Sequence, residues 1–356
     1  MSLQHRFPTL FEDHHAGEWL IEQATLRTAN TVSAYGYALV DYFQYCAIHA
    51  ITPASAKRAE VVAYVKDLSE RSKSATPVLP AKRPGFLKST AHEGFANATV
   101  RLRLATVRLY YKYLKGEEVR PTNPVEEGVY GWGKTYSKAR RGWVARQEKE
   151  FWLPGTRQWQ AILDAASSES IRNRFMLALA YDAGLRRAEL CALQIRDIDP
   201  SSKLIKLRPE TTKTGVGREV PYSDVTAELF AAYLEHRDSF GQPTGPVFLS
   251  ESRRNPGLPL TIWSWSKAVQ ALGKRAGMPR LTTHTLRHLR ITDLARANWE
   301  LPMIAAFAGH RSVATTMRYI HLSGRELTER YRQTLNSILD QRQQAMKISL
   351  LKTSLL

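Results

Sequence analysis

The chain has 356 residues, 43% of them apolar, which allows two domains with buried cores and excludes a disordered chain. No apolar run approaches the ~20 residues of a membrane-spanning helix, and the opening "MSLQHRFPTLFEDHH" lacks the apolar stretch of a signal peptide. Lys and Arg number 51 against 33 acids, a net charge of +18, so a polyanionic partner is expected. Nucleic acid leads over an anionic membrane surface, because no Lys-rich amphipathic helix with a clean apolar face stands out.

In chain order, the first third reads as helices, and about 20 residues precede the first strong helical pattern. "TVSAYGYALVDYFQYC" puts Val32, Tyr35, Leu39, Phe43 and Cys46 on one face, with Asn30 or Thr31 as cap. "TPASAKRAEVVAYVKDL" opens on Thr-Pro as a helix start and carries Val61, Val65 and Leu68. After a Ser/Pro/Lys loop, "NATVRLRLATVRLYYKYLKG" places Val100, Leu104, Val107, Tyr111 and Leu114 on one stripe, and Arg101, Arg108, Lys112 and Lys115 on another. That basic face suits either solvent or a row of DNA phosphates. Two prolines then break the pattern. The following connector has six Lys/Arg between positions 134 and 149, among them Lys134, Lys138, Arg140 and Arg141, and reads as an interdomain linker lying on nucleic-acid backbone.

Beyond the linker the chain changes character. "TRQWQAILDAA" and "IRNRFMLALAYDAG" are helical, with Gly184 as a stop, and "RAELCALQIRDIDP" begins another helix. "KLIKLRPETTKTGVGREVPYS" reads as two strands around a Thr/Lys/Gly turn. The rest is mostly helical. The expected fold class is therefore mainly α with a small β-sheet (α+β). Cys46 and Cys191, the only cysteines, both sit in apolar helical contexts and suit buried free thiols in a reducing cytosol.

Five local patterns carry chemistry. "AGLRRAEL" gives Arg186 just past a helix stop, and "TTKTG" gives Lys213 at a hairpin tip. "HTLRH" gives His284 and Arg287 on one helical face. "AGH" gives His310, and "TTMRYIH" gives Tyr319. Two arginines, a lysine and two histidines can surround a phosphodiester, since guanidinium forks match non-bridging oxygens and the charge of a pentacoordinate transition state. A tyrosine hydroxyl can attack phosphorus and keep the bond energy in a phosphotyrosine, so that rejoining needs no ATP. The sequence shows no carboxylate cluster for Mg²⁺, no zinc spacing and no Gly-Lys phosphate loop, so no metal or cofactor is expected.

On these residues the chain resembles the tyrosine recombinases of the phage integrase family. "GLRRAEL" is similar to the first-arginine box, "TKTGVGREVP" to the hairpin with the catalytic lysine, "HTLRH" to the H-x-x-R box, and "AGHRSVATTMRYIH" to the G-H and T-x-x-Y segment. The resemblance covers about residues 150–335 and, more loosely, the helical N-terminal region. It implies a SAM-like core-binding DNA-binding domain over 1–125, a linker over 126–150, a catalytic domain over 151–338 and a tail over 339–356 that docks on a neighbouring protomer, the whole forming a C-shaped clamp on DNA. Tyr319 would be the nucleophile, giving a 3′-phosphotyrosine. Arg186 and Arg287 would clamp the phosphate, Lys213 would protonate the 5′ oxygen, His284 would do acid/base work, and His310 would hydrogen-bond the phosphate. Glu189 and His288 would support this set from behind. Arg187 is left as a salt-bridge residue, Lys206 and Arg218 as hairpin flanks, His321 as structural, and Trp263 and Trp265 as core.

The expected function is site-specific DNA recombination, for integration, excision or transposition of a mobile element. Its expected partners are double-stranded DNA and further copies of the chain, a dimer on one site and a tetramer in synapsis. Accessory recombination proteins stay open, although the short N-terminal stretch leaves little room for an arm-binding domain. A cytoplasmic, nucleoid-associated protein is expected, with no membrane partner. The alternatives are a type IB topoisomerase and the resolution of chromosome or plasmid dimers. A DNA-binding regulator with relic residues and a metal-dependent nuclease are the rivals from other classes.

Overall fold

The computed structural model describes residues 2–71, 94–125, 143–144, 152–240, 243–317 and 319. The chain divides into two compact units, Met1–Lys149 and Glu150–Leu356. Lys134, Lys138, Arg140, Arg141, His321 and the tail from 339 lie outside the described residues, as does most of the stretch assigned to the linker. No helix among the described residues is long and apolar enough to cross a membrane.

The first unit is helical. Two short helices, α1 (Leu3–Arg6) and α2 (Pro8–Phe11), precede α3 (His14–Leu26), α4 (Ala29–Ile48), α5 (Arg58–Glu70) and α6 (Asn97–Gly116). The first 20 residues are thus already helical. Ser2 accepts from the His5 N–H at 3.2 Å and Asp13 from the Ala16 N–H at 2.8 Å, so short side chains start α1 and α3 where apolar spacing gave little signal. Helix α4 begins after Thr28, ahead of the expected Asn30 or Thr31. Thr52-Pro53 opens only a single 3₁₀ turn over Pro53–Ser55. α5 starts later because Glu60 reaches back to the Lys57 N–H and fixes the entry there.

The apolar stripes pack as their spacing predicts. Val32, Leu39 and Cys46 of α4 and Val100, Val107, Tyr111 and Leu114 of α6 are buried, while Arg101, Arg108, Lys112 and Lys115 are exposed. Among the described residues of this unit, Asp41 is a carboxylate in the interior, only 3% exposed. It accepts from the Tyr64 hydroxyl at 2.8 Å and from Arg71 at 2.9 Å, and Arg103 lies 2.7 Å away. The Arg103 guanidinium in turn stacks 4.0 Å from the Phe95 ring centroid. Asp41 therefore ties α4, α5 and α6 together.

The second unit begins with α7 (Thr156–Ala166), α8 (Ile171–Asp182) and the short α9 (Arg187–Cys191). The strands β1 (Ile198–Asp199), β2 (Leu204–Leu207) and β3 (Arg218–Pro221) form one antiparallel sheet in the order β1-β2-β3, with Ile205 opposite Val220 and Leu207 opposite Arg218. Then follow α10 (Asp224–Asp238), α11 (Ile262–Arg275), α12 (Thr283–Arg296), α13 (Leu301–Ala308) and α14 (Val313–Met317). The mainly helical class with one small sheet is the observed fold, β1 being the strand that was too short to read.

Helix α8 packs against both α10 and α12. Phe175 at its centre stacks on Phe230 and meets Phe248 at a tilt, each at 5.3 Å between centroids. Gly184 ends this helix segment at φ +57°, as its position implied. On β2, Ile205 and Leu207 face the core and Lys206 faces solvent, the period-two alternation of a half-covered sheet. On α11 the two tryptophans part company. Trp265 is 2% exposed and packs in the core, whereas Trp263, also expected there, is 56% exposed. Two residues along a helix is about 200° of rotation, so both cannot face one core.

Asp41→Asn removes the anion while leaving Arg71 and Arg103 in place. The expected loss is about 3 kcal/mol or more, read as a lower urea midpoint by circular dichroism. A midpoint within 0.5 kcal/mol of wild type, on the order of a surface substitution, would show that the cluster does not hold the unit.

Candidate active site

The second unit gathers its polar residues around the carboxyl end of α13. A helix ends with carbonyls that have no partner in the helix and carry its negative pole. Here three arginines from three other segments supply the donors. Arg218 Nε donates to the Phe307 carbonyl at 2.8 Å, Arg287 donates to the Ala308 carbonyl, and Arg186 donates to the Gly309 carbonyl at 2.8 Å. Gly309 closes the helix at φ +63°, and a Cβ there would stand 2.8 Å from Arg218. The close approach and the left-handed backbone both require glycine.

A carboxylate lies behind these cations. Glu189, 1% exposed, accepts from Arg186 Nη1 at 2.6 Å and from the Arg186 N–H at 3.0 Å. Its two oxygens also receive Arg218 at 2.8 and 3.2 Å. Burial alone would raise the Glu189 pKa, but the Arg218 hydrogen bonds and charge, with those of Arg186, bring it down to about 2. Arg218, expected only to flank the hairpin, is thus the main partner of Glu189. Its partner lies 29 positions away in sequence, so no local pattern shows it.

Arg287 is 3% exposed and also donates to the Gly184 carbonyl at 2.6 Å. Burial, then the charges of Arg186 and Arg218, push its pKa down to about 10. Among the described residues these three guanidiniums stand near one buried carboxylate, so the described part of the site carries excess positive charge. Each guanidinium has five N–H donors, and the bonds that anchor Arg186 and Arg287 leave donors for an oxyanion.

His310 follows Gly309 directly. Its Nδ1 lies 2.8 Å from Thr316 Oγ1, and Thr316 is fully buried. Burial first, and then Arg287, Arg186 and Arg218, lower its pKa to about 4. His284 keeps an exposed face, yet its pKa is also lowered, by desolvation and then by the charges of Arg287, Arg187, Arg186 and Lys213. Lys213 is exposed on the turn between β2 and β3, and Arg311 donates to the Thr214 carbonyl at 3.0 Å, tying that turn to the segment after His310. Arg187 donates to Ser266 Oγ at 2.6 Å and covers the Trp263 ring at 5.1 Å, in place of the expected salt bridge. That cover explains how Trp263 can stand exposed.

Tyr319 closes the cluster. It lies in a turn after α14, its N–H donating to the Thr316 carbonyl at 2.9 Å, and is 7% exposed. Its ring stacks on His310 at 6.1 Å and 15°. Its hydroxyl lies 2.7 Å from His288 Nδ1. His288 therefore touches Tyr319 itself instead of standing behind the set. The contact spans 31 positions, and the sole hint was that His288 lies one turn from His284. The structure thus brings together Arg186, Glu189, Lys213, His284, Arg287, His288, His310 and Tyr319, and adds Arg218.

Two of these groups make acid a threat to the fold. Glu189, at about 2 against an ordinary 4.5, stabilises fully above pH 4.5 and loses that contribution as pH falls through 2. His310, at about 4 against 6.5, stabilises as a neutral ring above pH 6.5 and loses that contribution as pH falls through 4. The melting temperature should therefore fall from pH 6.5 downward. His310→Gln should make the part between 6.5 and 4 shallower, with His284 keeping the remainder, and leave the acid limb. A profile unchanged by that substitution would remove His310 from the account.

The model described as the phage integrase family matches residues 155–326, the segment that holds all of these side chains. A tyrosine recombinase XerC of Haemophilus ducreyi is 30% identical over 249 residues, 69% of this chain and 75% of that protein. A tyrosine recombinase XerD of Caulobacter vibrioides is 29% identical over 320 residues, 86% of this chain and 90% of that protein. Among solved structures, the Tn1549 transposon integrase in complex with transposon right end DNA has a TM-score of 0.66 at 15% identity, over 91% of this chain and 98% of that one. A lambda integrase dimer bound to a COC′ core site has a TM-score of 0.61 at 16% identity, over 89% of this chain and 96% of that one. At such identities these two show likeness of fold. The XerC relative, matched over three quarters of its length, shows descent, and the chain belongs to the tyrosine recombinases, enzymes of the phage integrase family.

Proposed function

We propose that this chain is a site-specific DNA recombinase that cleaves and rejoins strands through a 3′-phosphotyrosine at Tyr319, without metal or ATP. The observation that carries this reading is the cationic cradle of Arg186, Arg218 and Arg287, which among the described residues has one buried carboxylate beside it, with a buried tyrosine in the same cluster. A phosphodiester supplies the missing negative charge, and two negative charges develop on it as phosphorus becomes pentacoordinate. Arg186 and Arg287 bind the non-bridging oxygens bidentately. Lys213, on the exposed turn, protonates the departing 5′ oxygen. His284 serves acid/base work near it, and His310, held neutral at physiological pH, hydrogen-bonds the phosphate. Glu189 keeps two arginines in register.

The substrate is double-stranded DNA, and each of the two domains contributes contacts to it. Arg101, Arg108, Lys112 and Lys115 on the exposed face of α6, and Lys134, Lys138, Arg140 and Arg141 in the linker, contact its phosphates. The protein acts as a dimer on each site and a tetramer in synapsis, with the tail from 339 docking on the neighbouring protomer. The fold neighbours on transposon end and core-site DNA support this reading by analogy. The biological setting we favour is integration or transposition of a mobile element. A second reading, resolution of chromosome or plasmid dimers, has its own support, since the relatives at 29–30% identity are named XerD and XerC.

Nicked suicide duplexes tiled across the DNA that flanks the coding sequence test the chemistry. In EDTA, wild type should give a covalent protein–DNA band on a denaturing gel and Tyr319→Phe none. A band that needs Mg²⁺, or one that survives in Tyr319→Phe, contradicts the reading. Binding should also weaken steeply with salt. Replacing Arg101, Arg108, Lys112 and Lys115 with Ala should shallow the log–log slope by about 0.9 per lost phosphate contact, and an unchanged slope would remove α6 from the interface.

A further inference from the structure

The hydroxyl of Tyr319 and Nδ1 of His288 are 2.7 Å apart, and their rings lie 5.5 Å apart at 37°. His284 lies one turn back on the same helix, its ring 6.0 Å from that of His288. On the reading that Tyr319 is the nucleophile, we propose that His288 takes the phenol proton as Tyr319 attacks phosphorus and returns it when the strand is rejoined.

A phenol with an ordinary pKa near 10 is protonated at neutral pH, so its proton must leave during attack. Tyr319 is buried, which keeps bulk water from being the direct acceptor. The arginines cannot accept a proton, for a guanidinium offers only donors. His310 has its Nδ1 against Thr316 Oγ1 and its ring stacked on Tyr319, an arrangement that orients the ring plane. His284 keeps an exposed face, and its ring lies 6.0 Å from that of His288. His288 is held by its helix, between buried Arg287 and Leu289, with its own carbonyl accepting from Thr292 Oγ1 at 2.8 Å. Its nitrogen is thus set at hydrogen-bond distance by a rigid element.

The step balances. The Tyr319 Oη–P bond forms and the P–O5′ bond breaks. The phenol proton passes to Nδ1 of a His288 in the Nε2–H tautomer, which becomes imidazolium. The 5′ oxygen takes a proton from Lys213, which becomes the neutral amine. In rejoining, the 5′ hydroxyl attacks, Tyr319 leaves, and both protons return.

The test is single-turnover cleavage by the full chain on a suicide duplex, made with either an ordinary 5′ oxygen or a sulfur at the scissile bridge. A thiolate leaves without needing a proton, so sulfur relieves defects on the leaving-group side only. His288→Ala should cleave roughly 100-fold more slowly on both substrates, and free imidazole should restore part of the rate. Lys213→Ala should recover on sulfur. His288→Asn sets an amide near the Nδ1 position and keeps a hydrogen bond to Tyr319 but takes no proton, so it should stay slow while melting like wild type. Full activity in His288→Ala, rescue of it by sulfur, or full activity in His288→Asn would each overturn the proposal, the last reducing His288 to a positioning residue. Wild type without a Tyr319-dependent covalent band would instead sink the recombinase reading, and this proposal with it.

Discussion

Everything at this site hangs from three carbonyls at the end of α13, those of Phe307, Ala308 and the capping Gly309. At the end of α7 a single arginine, Arg275, reaches one such carbonyl, that of Ala165. The end of α13 is completed by Arg218, Arg287 and Arg186, which come from a strand, a helix and a loop far apart in sequence. The bonds fix where the guanidiniums stand before any substrate arrives. They also draw the negative pole of the helix toward the cations, which softens the cost of burying them. Gly309 makes the arrangement possible, since a side chain there would strike Arg218.

Charge then sorts the titratable groups. Glu189 is held ionised far below its ordinary range, His310 is held neutral, and Arg287 is strained toward losing its proton. The first effect is hydrogen bonding and charge overcoming desolvation, and the other two are desolvation reinforced by like charge. The same imbalance explains why an anionic ligand fits here. Its arrival would relieve repulsion that, among the described residues, one buried carboxylate offsets.

The elements and residues that could be read from the sequence were those whose signal is local. Gly184 stopping a helix, the β2–β3 turn around Lys213 and the spacing of His284 and Arg287 are written within a few positions each. The buried stripe on α6 followed from period, and so did the exposed Arg101, Arg108, Lys112 and Lys115 beside it. What stayed hidden was pairing at a distance. Arg218 looked like a hairpin flank because Glu189 is 29 positions away, and His288 looked like a supporting residue because Tyr319 is 31 away. Asp41 was invisible in the sequence, since Arg71 and Arg103 meet it only in three dimensions. Trp263 misled because a tryptophan is usually covered by apolar neighbours, whereas here a guanidinium covers it.

The unequal bonding of Glu189 and Tyr319 bears on how such a chain decays over generations. Glu189 is bonded to two arginines at once, so its loss would scatter the cradle and endanger the fold together. Tyr319 contributes a hydroxyl whose removal leaves a phenylalanine of nearly the same shape. On the proposed role of Tyr319, random substitution therefore reaches a silent but still folded protein through it far more readily than through Glu189. A descendant lineage that kept the glutamate and lost the tyrosine would be a DNA-binding protein descended from an enzyme, with its former cradle intact.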